Sequence, residues 1–454
     1  MNLDLINRLK RKNPGLNNMN MPLPALTKKI KNKQIKLGVV GLGYVGFPLA
    51  LEFIKKHIQV IGIEIDRHRL NCIKKNQSYV SDISNQELKN ANASGYFTAS
   101  SNFLAINQCD VILICVPTPL KKKNLPDISF IKSAVKGVAQ HIKNGALVIL
   151  ESTTYPGTTE EEILPIFKKN GCQHGKDFFL CFSPERIDPG NKKFPVHKIP
   201  KVMGGITPEA TALAMVVYKI ILHKVVPVSS ARAAETVKLL ENTFRLINIG
   251  LIDELSMMAH KMGIDIWEVI QAASTKPFGF MPFYPGPGVG GHCIPKDPLY
   301  LHWKAKSFGF HSRFIQLASN VINYMPEYIV KRVASAMLER KSKLRGAKIL
   351  VMGVTYKKDI KDLRKSPSID VICSLKKHGV KVAYCDPIIP FLKLKGLNLK
   401  SVILSDQIIK GFDCIIIATD HTKVNYANLL KNAQLIFDSR NVYKGKNTDK
   451  VVRL

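Results

Sequence analysis

A glycine-rich segment near the start of the chain limits the possible folds more than any other feature. Residues 37–46 read L-G-V-V-G-L-G-Y-V-G, so Gly41, Gly43 and Gly46 form a G-x-G-x-x-G pattern. The β-branched run Lys36–Val40 precedes it, and a helical pattern follows. Glycines at this spacing permit a tight strand-to-helix turn and let the backbone approach a pyrophosphate at the helix N-terminus. The segment predicts the first unit of a doubly wound sheet.

An acidic residue indicates which dinucleotide such a turn would bind. Glu64 stands 18 residues after Gly46, at the end of the apolar run Gln59–Ile63. A carboxylate at this point accepts hydrogen bonds from ribose hydroxyls and repels a 2′-phosphate, so we expect NAD rather than NADP. Arg67 and Arg69 leave NADP open, and a glycine turn without a ligand is the structural alternative.

Strand and helix patterns alternate in two parts of the chain. The expected strands are 36–40, 59–63, 111–116, 147–151, 178–182 and 224–227, followed after Ala347 by 349–353, 380–384, 414–418 and 435–438. Between the two parts, Ala233–Lys261 has apolar residues at helical spacing and only one glycine, which predicts one long helix. The fold class is therefore α/β, with two doubly wound Rossmann-like domains joined by a long central helix and a helical middle domain.

Four segments follow from these patterns. We expect a flexible basic arm over residues 1–34, an NAD-binding domain over 35–229, a helical central domain over 230–340 and a second α/β domain over 341–454. The long helix is also an expected surface for a homodimer.

Composition narrows the class of partner. The formal net charge is +33, but the basic residues are spread along the chain without interleaved aromatic residues, so we expect no nucleic-acid binding. The apolar stretch 212–229 contains Lys219, His223 and Lys224, which argues against a membrane span, and no signal peptide is expected. The nine cysteines form no C-x-x-C pair, so we expect no metal site, no disulfide framework and a cytoplasmic location.

Polar residues follow three of the expected strands, at the edge where doubly wound sheets place their ligands. They are Thr118 in V-P-T-P, Thr153 in E-S-T-T-Y-P-G-T, and Glu185 with Arg186 in S-P-E-R. Ordinary turn chemistry is the alternative for each, and Glu185 is a candidate general base. The expected cofactor-binding residues are Gly41, Gly43, Tyr44, Val45, Gly46, Glu64, Arg69, Thr118 and Thr153.

The segment G-P-G-V-G-G-H-C-I-P-K-D-P carries the strongest catalytic signal. Cys293 lies in a run too rich in glycine and proline for a helix or a strand, with Lys296 and Asp297 close behind. A nearby cation favours the thiolate, and an open loop gives a ligand access, as covalent catalysis on an aldehyde requires. A structural turn with an incidental cysteine is the alternative. On the long helix, Lys238 and Asn242 stand four residues apart and share a face, where they could hold an oxyanion or be solvated.

Seven motifs together resemble those of the UDP-glucose/GDP-mannose-type nucleotide-sugar 6-dehydrogenases over roughly residues 35–443. They are G-L-G-Y-V-G, V-P-T-P, E-S-T-x-x-P-G-T, S-P-E-R, E-x-x-K-L-x-E-N, G-G-H-C-I-P-K-D and Y-K-K-D-x-x-D-x-R-x-S-P, in the family's order. The segment T-K-P-F-G-F-M-P-F-Y-P-G-P-G, residues 275–288, resembles the branch acting on UDP-N-acetylglucosamine, which makes precursors of surface polysaccharide.

The resemblance implies an oxidation by two NAD in succession, with Cys293 forming a thiohemiacetal and then a thioester. It implies that Lys238 and Asn242 stabilise the oxyanion, that Asp297 orients or activates water, and that Glu185 and Thr153 assist proton transfer and hydrolysis. The substrate-binding residues that it implies are Glu185, Arg186, Lys238, Asn242, Gly290, Lys357, Arg364 and Arg440.

The chain departs from the glucose branch at one position. That branch carries an acid four residues after the glutamate that matches Glu185, and this chain has Pro189 there. Sugar contacts are therefore not carried over from that branch. UDP-glucose and UDP-N-acetylmannosamine stay open as substrates. A non-catalytic NAD and nucleotide-sugar sensor, and a two-electron dehydrogenase of β-hydroxyacid type, are the other functions to be weighed.

Overall fold

The computed structural model describes residues 23–80, 83–121, 125–186, 196–445 and 448–454. The chain divides into two compact units. The first extends to Leu240 and includes Trp303–Phe308, and the second contains Glu241–His302 and Gly309–Leu454. The helical middle region and the second α/β region therefore belong mostly to one unit.

The first unit is built on a sheet in which parallel strands alternate with helices. In chain order its elements are α1 Leu23–Lys31, β1 Lys36–Val40, α2 Gly46–Ile54, β2 Gln59–Ile63, α3 Arg67–Lys74, α4 Asn85–Ala93, β3 Phe97–Ser100, β4 Val111–Ile114, α5 Ser129–His141, β5 Ala146–Leu150, α6 Leu164–Lys169, β6 Phe178–Phe182, β7 Lys201–Gly205, α7 Pro208–Tyr218, β8 Val225–Pro227 and the start of α8 Ala231–Lys261. Among the described residues, eight strands lie in the order β3-β2-β1-β4-β5-β6-β7-β8. The expected doubly wound sheet is confirmed.

Two strands of this sheet had no predicted counterpart. Phe97–Ser100 pairs with β2 in parallel, and Lys201–Gly205 pairs antiparallel to β6. The first is only four residues long with mixed burial, and the second contains two glycines, so neither shows a clear β-branched alternation. The antiparallel pair also means that the sheet is not wholly parallel.

The expectation of a flexible arm over residues 1–34 is wrong for its last part, and residues 1–22 lie outside the described residues. Leu23–Lys31 form a helix whose Leu26 and Ile30 are buried in the core of the first unit. These two residues are one helical turn apart, which gives a short amphipathic face. The Lys29 ammonium donates to the Asp110 carboxylate over 3.2 Å. The expectation was wrong because the many lysines of this segment obscured the short apolar face by which the helix packs against the core.

The second unit contains the rest of α8 and a smaller sheet. Its further elements are α9 Ile266–Ala273, α10 Asp297–Lys306, whose last four residues belong to the first unit, α11 Arg313–Glu339, β9 Lys348–Met352, α12 Pro367–Lys377, β10 Lys381–Cys385, β11 Phe391–Leu394, β12 Leu397–Lys400, α13 Asp406–Lys410, β13 Cys414–Ile417, α14 Tyr426–Asn432, β14 Ile436–Asp438 and β15 Val451–Arg453. In this part of the chain the described strands form a parallel sheet in the order β10-β9-β13-β14-β15 and a separate hairpin, β11-β12. The hairpin and β15 were not predicted.

The long helix α8 extends over 31 residues, two more than predicted. Its one glycine has a packing role. A Cβ on Gly250 would lie 2.9 Å from the Cα of Ala318 in α11, so the absence of a side chain lets the two helices approach closely. No described helix is long and apolar enough to cross a membrane, and no group of histidine, cysteine and acidic side chains among the described residues could hold a metal ion.

Candidate functional site

The glycines of the turn after β1 have different tasks. Gly41 has φ +92°, and a Cβ there would lie 2.8 Å from the Cys115 carbonyl oxygen. A Cβ on Gly46 would lie 2.0 Å from the Gly41 carbonyl oxygen. At Gly43 the nearest atom to such a Cβ is an Arg69 nitrogen, 3.9 Å away. The two outer glycines are thus required by the protein's own backbone, whereas the middle one leaves the space that a pyrophosphate would need.

Glu64 is 4% exposed and braces this turn from the end of β2. Its carboxylate accepts hydrogen bonds from the Leu42 N–H over 3.1 Å, the Asp66 N–H over 3.0 Å and the Arg69 guanidinium over 3.2 Å. The sequence placed Arg69 near the cofactor without indicating this ion pair. The acid therefore already accepts hydrogen bonds at both oxygens, and the remaining lone pairs are the ones that could accept from a ribose.

Tyr44 and Val45 complete the turn. Tyr44 is 48% exposed and takes part in further interactions. Val45 directly precedes the first turn of α2. The glycines, Glu64 and the helix N-terminus form a cradle of the kind that binds dinucleotides.

The loop after β5 carries Thr153. Of the residues from Glu151 to Tyr155, all of them described, only Thr153 is not buried. The Ser152 hydroxyl donates to the Val116 carbonyl over 2.7 Å, which joins this loop to the V-P-T-P loop. Thr118 in that second loop is buried, at 3% exposure. The structure thus brings the two polar strand ends together, as predicted.

Lys238 on α8 and Glu185 after β6 form a buried pair in the first unit. The Lys238 ammonium lies 3.5 Å from a Glu185 carboxylate oxygen, and both residues are less than 10% exposed. The Arg186 guanidinium instead donates to the Pro200 carbonyl over 2.6 Å, so it binds its own loop. The position of Pro189 lies outside the described residues.

A second buried cluster in the first unit had not been predicted from the sequence. The Lys201 ammonium donates to Glu151 over 2.5 Å and to the Pro184 carbonyl over 3.2 Å, and the Tyr218 hydroxyl also donates to Glu151. Burial raises the pKa of Glu151, and Lys201 opposes that rise. Since Pro184 precedes Glu185, this cluster fixes the backbone beside the candidate base. Lys201 lies 50 residues from Glu151 and 17 residues from Pro184 in the chain, so no spacing rule could have found this cluster.

In the second unit, Cys293 lies four residues before Asp297, the first residue of α10, and is half-buried. Its carbonyl accepts from the N–H groups of Lys296 over 3.0 Å and Asp297 over 2.8 Å. The Asn242 amide donates to the Asp297 carboxylate over 2.7 Å, and both residues are buried. The Asn242 amide therefore joins the long helix to the cysteine segment within this unit.

The side chains of Lys296 and His292 lie close to each other in the cysteine segment. The Lys296 ammonium lies 3.7 Å from an Asp297 carboxylate oxygen and 3.4 Å from the His292 Nδ1. Burial lowers the pKa of His292 to about 3, with Lys296 and Arg364 adding to the effect, so this imidazole is neutral at physiological pH. His292 was not among the predicted site residues, although it stands in the motif.

Glycines let the cysteine segment pack against the Y-K-K-D loop of the second sheet. A Cβ on Gly290 would lie 2.4 Å from the Tyr356 Cβ, and the Gly291 N–H donates to the Arg364 carbonyl over 2.9 Å. Arg364 itself is paired with Asp362, whose nearer oxygen is 2.6 Å from a guanidinium nitrogen. Lys357 is half-buried in the same loop. The predicted substrate residues Gly290, Lys357 and Arg364 are thus close in the fold.

Arg440 reaches the start of the cysteine segment. A Cβ on Gly286 would lie 2.8 Å from an Arg440 guanidinium nitrogen, and the Arg440 Nε donates to the Ala418 carbonyl over 2.8 Å. Asp253 on α8, which is fully buried, accepts from the Gly286 N–H over 3.1 Å. Burial raises the pKa of Asp253 to about 8, and Arg440 opposes that rise. Asp253 was not predicted, because nothing in the sequence distinguishes it from the other acidic residues of α8.

The glycine turn, with Glu64 at the end of the next strand, is typical of an NAD-binding dehydrogenase. The chain belongs to the UDP-glucose/GDP-mannose dehydrogenase family. The family's NAD-binding domain matches residues 35–222, its central domain residues 232–324 and its UDP-binding domain residues 350–445.

Characterised relatives cover most of the chain. It is 40% identical over 360 residues to the UDP-N-acetyl-D-glucosamine 6-dehydrogenase of Pseudomonas aeruginosa, which covers 78% of this chain and 83% of the relative. It is 33% identical to the UDP-N-acetyl-D-mannosamine dehydrogenase of Pyrococcus horikoshii over 90% of this chain and 96% of the relative. The solved structure of a UDP-D-ManNAc dehydrogenase from the same organism superposes with a TM-score of 0.83 at 31% identity, covering 92% and 98% of the two chains.

The coarse activity follows from this membership. The protein is an NAD-binding nucleotide-sugar dehydrogenase whose second α/β region is the family's UDP-binding domain. Some of the similar relatives are named for N-acetylglucosamine and others for N-acetylmannosamine, so family membership leaves the identity of the sugar open.

Proposed function

We propose that the protein is a UDP-N-acetylglucosamine 6-dehydrogenase that oxidises the sugar's primary alcohol to the carboxylate. The P. aeruginosa relative with this name is 40% identical over 360 residues, and residues 275–288 carry the motif typical of that branch. UDP-N-acetylmannosamine is the second candidate, because the relative named for it is also more than 30% identical over most of the chain.

The reaction removes four electrons in two steps. The glycine turn and Glu64 would hold NAD, which would supply the hydride acceptor at each step. The Cys293 thiolate adds to the aldehyde carbon and forms a C–S bond, and the carbonyl oxygen becomes the oxyanion of a thiohemiacetal. Loss of the second hydride from that carbon restores the C=O bond as a thioester. Water then adds, the C–S bond breaks, and the thiolate leaves with the carboxylic acid formed.

Lys238 and Asn242 are the proposed oxyanion donors. They are one helical turn apart on α8, and each is held by a buried acid, Glu185 at 3.5 Å for the lysine and Asp297 at 2.7 Å for the amide. The longer contact leaves the ammonium able to turn toward a developing negative charge. The attraction between the two is stronger in a buried site from which water is excluded. An acid beside each donor also provides a proton acceptor for the attacking water.

Asp297 and Glu185 are proposed as the groups that handle water and protons, with Thr153 assisting. The Asn242 amide holds the Asp297 carboxylate in place, and Lys296 contributes positive charge 3.7 Å from it. That lysine also favours the Cys293 thiolate, because it follows the cysteine by three residues at a helix start. The observation that carries the proposal is this cysteine in the loop that leads into a helix whose first residue is a buried, amide-bound aspartate.

The decisive experiment counts NADH released per UDP-sugar consumed. The wild-type enzyme is expected to release two. Cys293→Ala should abolish acid formation while leaving UDP-sugar and NAD binding nearly intact, because neither pocket is built from the thiol. Cys293→Ser should form product slowly, since an alkoxide is a far poorer leaving group than a thiolate. Acid formation by Cys293→Ala at a wild-type rate would show that the covalent mechanism is wrong.

The oxyanion assignment has its own test. Lys238→Ala is expected to slow turnover by roughly 10²–10³-fold, the usual cost of one lost oxyanion contact. A surface lysine on the same helix, Lys261, gives a matched control, and Lys261→Ala should retain wild-type turnover. Equal rates for both variants would remove Lys238 from this role.

The choice of sugar is tested by a panel of substrates at equal concentration. UDP-N-acetylglucosamine should give the highest kcat/KM, ahead of UDP-N-acetylmannosamine and UDP-glucose. A higher kcat/KM for the mannosamine epimer would transfer the assignment to the other branch without affecting the covalent mechanism.

We also propose a homodimer through α8. Leu240, Phe244, Leu251 and Met258 are each more than 45% exposed, and the last three repeat every seven residues, so they form one apolar stripe on the helix. Such a stripe is typical of a helix that packs against a copy of itself. Sizing with light scattering should give about twice the chain mass of 50.7 kDa, and Leu251→Glu should shift the protein toward monomer.

A further inference from the structure

The turn after Thr153 is bound by a carboxylate that has no role in the proposed reaction. Glu235 on α8 is fully buried. One of its oxygens accepts from the Gly157 N–H over 2.6 Å, and the other accepts from the Thr159 N–H over 2.8 Å and the Thr159 hydroxyl over 2.6 Å. Three donors therefore converge on one side chain.

Only a carboxylate satisfies this arrangement. Its two oxygens offer acceptor sites alone, whereas the glutamine side chain would place an N–H₂ donor against one of the three donors. Burial raises the pKa of Glu235 to about 7, so the protein holds the group here although its charge is costly to bury.

The two elements that Glu235 joins both carry proposed catalytic groups. Lys238 follows it on α8 by three residues, on the next turn of the helix. On the other side, the Thr158 hydroxyl donates to the Tyr155 carbonyl over 2.7 Å and pairs with the Thr154 hydroxyl at 2.7 Å. The turn is thus rigid up to the residue after Thr153.

Thr153 is held from its other side as well. Ser152 is hydrogen-bonded to the Val116 carbonyl at 2.7 Å, and Glu151 is bound by Lys201. The Thr153 segment is thus bound on both sides, and toward α8 it is bound through the turn that Glu235 holds.

We propose that Glu235 is a positioning residue that fixes Thr153 relative to Lys238. This inference rests on the proposed function, which gives those two residues their roles. Misplacement of a reacting group by about 1 Å can cost about 100-fold in rate, so a loosened turn should be visible in turnover.

The test compares Glu235→Gln with Glu235→Asp and with a control at the exposed end of the same turn. Arg232, one helical turn earlier, contacts Glu160 at 2.7 Å and Glu161 at 3.2 Å, but it is 47% exposed and outside the proposed machinery. Arg232→Ala should keep wild-type kinetics. Glu235→Gln should lower kcat by about 10–100-fold. Glu235→Asp, which retains the acceptor oxygens, should recover part of the loss.

Two further readouts separate positioning from a merely structural role. In Glu235→Gln the Tm should fall, because a buried donor is left facing the N–H groups of the turn, but the Kd for UDP-sugar should not change. A double-mutant cycle with Thr153→Ala should be non-additive, because the two changes affect one arrangement. Wild-type kcat in Glu235→Gln, a loss of UDP-sugar affinity together with kcat, or strict additivity would each overturn the inference.

The proposed function is checked in parallel. If Thr153→Ala and Lys238→Ala lose activity while Glu235→Gln does not, the positioning role alone is wrong. If Thr153→Ala and Lys238→Ala both keep wild-type kcat, the assigned roles are wrong and the positioning role is overturned with them.

Discussion

The two doubly wound sheets of this protein share one arrangement and use it differently. In the first, Glu64 at the end of β2 accepts the N–H of Leu42, the residue after Gly41. In the second, Asp386 at the end of β10 accepts the N–H of Val354, the residue after Gly353, over 2.7 Å. Each sheet thus pairs a glycine after its first strand with an acid after the neighbouring strand.

The surroundings of the two acids differ. Beside Glu64, the turn continues through Gly43, where a Cβ would meet nothing closer than 3.9 Å. In the second sheet, the Asp386 carboxylate also binds the buried His421 at 3.1 Å and the N–H groups of Ile388 and Ile389. The second acid has no lone pair left for a ribose, and its role is to brace the turn.

The turns that follow Gly41 and Gly353 also differ in the groups that they offer to a ligand. The first continues with glycines and leaves the backbone open, and the second continues as T-Y-K-K-D with two lysines. A shared fold therefore does not dictate the ligand. An open backbone suits a pyrophosphate held by N–H groups, whereas lysine side chains suit a phosphate held by charge.

The largest effect is expected where the first turn is open. Gly43→Val should place two methyl groups in the space for the pyrophosphate and weaken NAD binding by about 100-fold or more, which corresponds to about 2.7 kcal/mol. The Tm should change little, since no protein atom lies close to that Cβ. Titration with NAD and thermal unfolding measure the two quantities.

Gly46→Val is the matched control for this prediction. Its Cβ would lie 2.0 Å from the Gly41 carbonyl, so it should lower the Tm as well as NAD affinity. If Gly43→Val unfolds the protein as readily as Gly46→Val, the middle glycine is structural and the cradle interpretation is wrong.

In the second sheet we expect the next largest effect at Lys357. Lys357→Ala should raise the Kd for UDP-sugar by about 10–100-fold, the range for one lost charge-assisted contact, with NAD affinity unchanged. The neighbouring Lys358 pairs with Asp420 at 3.3 Å and is 48% exposed, so Lys358→Ala should have almost no effect. Equal losses in both variants would indicate a general field of positive charge instead of a specific contact.

Glu64 tests the acid of the first sheet. Glu64→Gln keeps the shape but turns one acceptor into a donor, and it should weaken NAD binding by about 10-fold, about 1.4 kcal/mol. UDP-sugar affinity should not change. Unaltered binding of NAD would mean that Glu64 only braces the turn, as Asp386 does, and the contrast between the two sheets would disappear.

The sequence predicted the elements of these two sheets better than their sites. Strands β1, β2 and β6 begin and end where predicted, because buried apolar runs between turn residues leave little choice of position. The helix α1 and the strands β3 and β7 were missed, because their local patterns are weak and tertiary packing decides their structure. The prediction of a flexible arm failed for the same reason.

Site residues divide in a similar way. Cys293, Asp297 and Lys238 could be picked out because their motifs carry chemistry at fixed spacing. Lys201, Glu235 and Asp253 could not, because each acts through a partner more than 30 residues away in the chain: Glu151, Thr159 and Gly286. A single sequence states which residues neighbour one another on a helix, but it does not state which loop the helix will face.

The smallest effect on activity is expected from Asp386. Burial opposes ionisation of this carboxyl, but His421 and the N–H groups of Val354 and Ile388 hold its pKa below the ordinary value of 3.8. A lowered pKa means that the carboxylate contributes stability above pH 3.8, and that this contribution is lost as the pH falls below it. Asp386→Asn should therefore lower the free energy of unfolding by about 1–3 kcal/mol at pH 7, the cost of a poorly satisfied buried group.

NAD affinity should not change in Asp386→Asn, in contrast to Glu64→Gln. Thermal melts of wild type and variant from pH 7 downward provide the check. The difference in Tm should stay constant to about pH 4 and shrink only below it, where the wild-type carboxylate is also protonated. A difference that already disappears between pH 7 and 5 would mean that bracing by the charged Asp386 is wrong. Since the pKa of the bracing acid lies far below neutral, the second turn should stay fixed at every pH where the enzyme works.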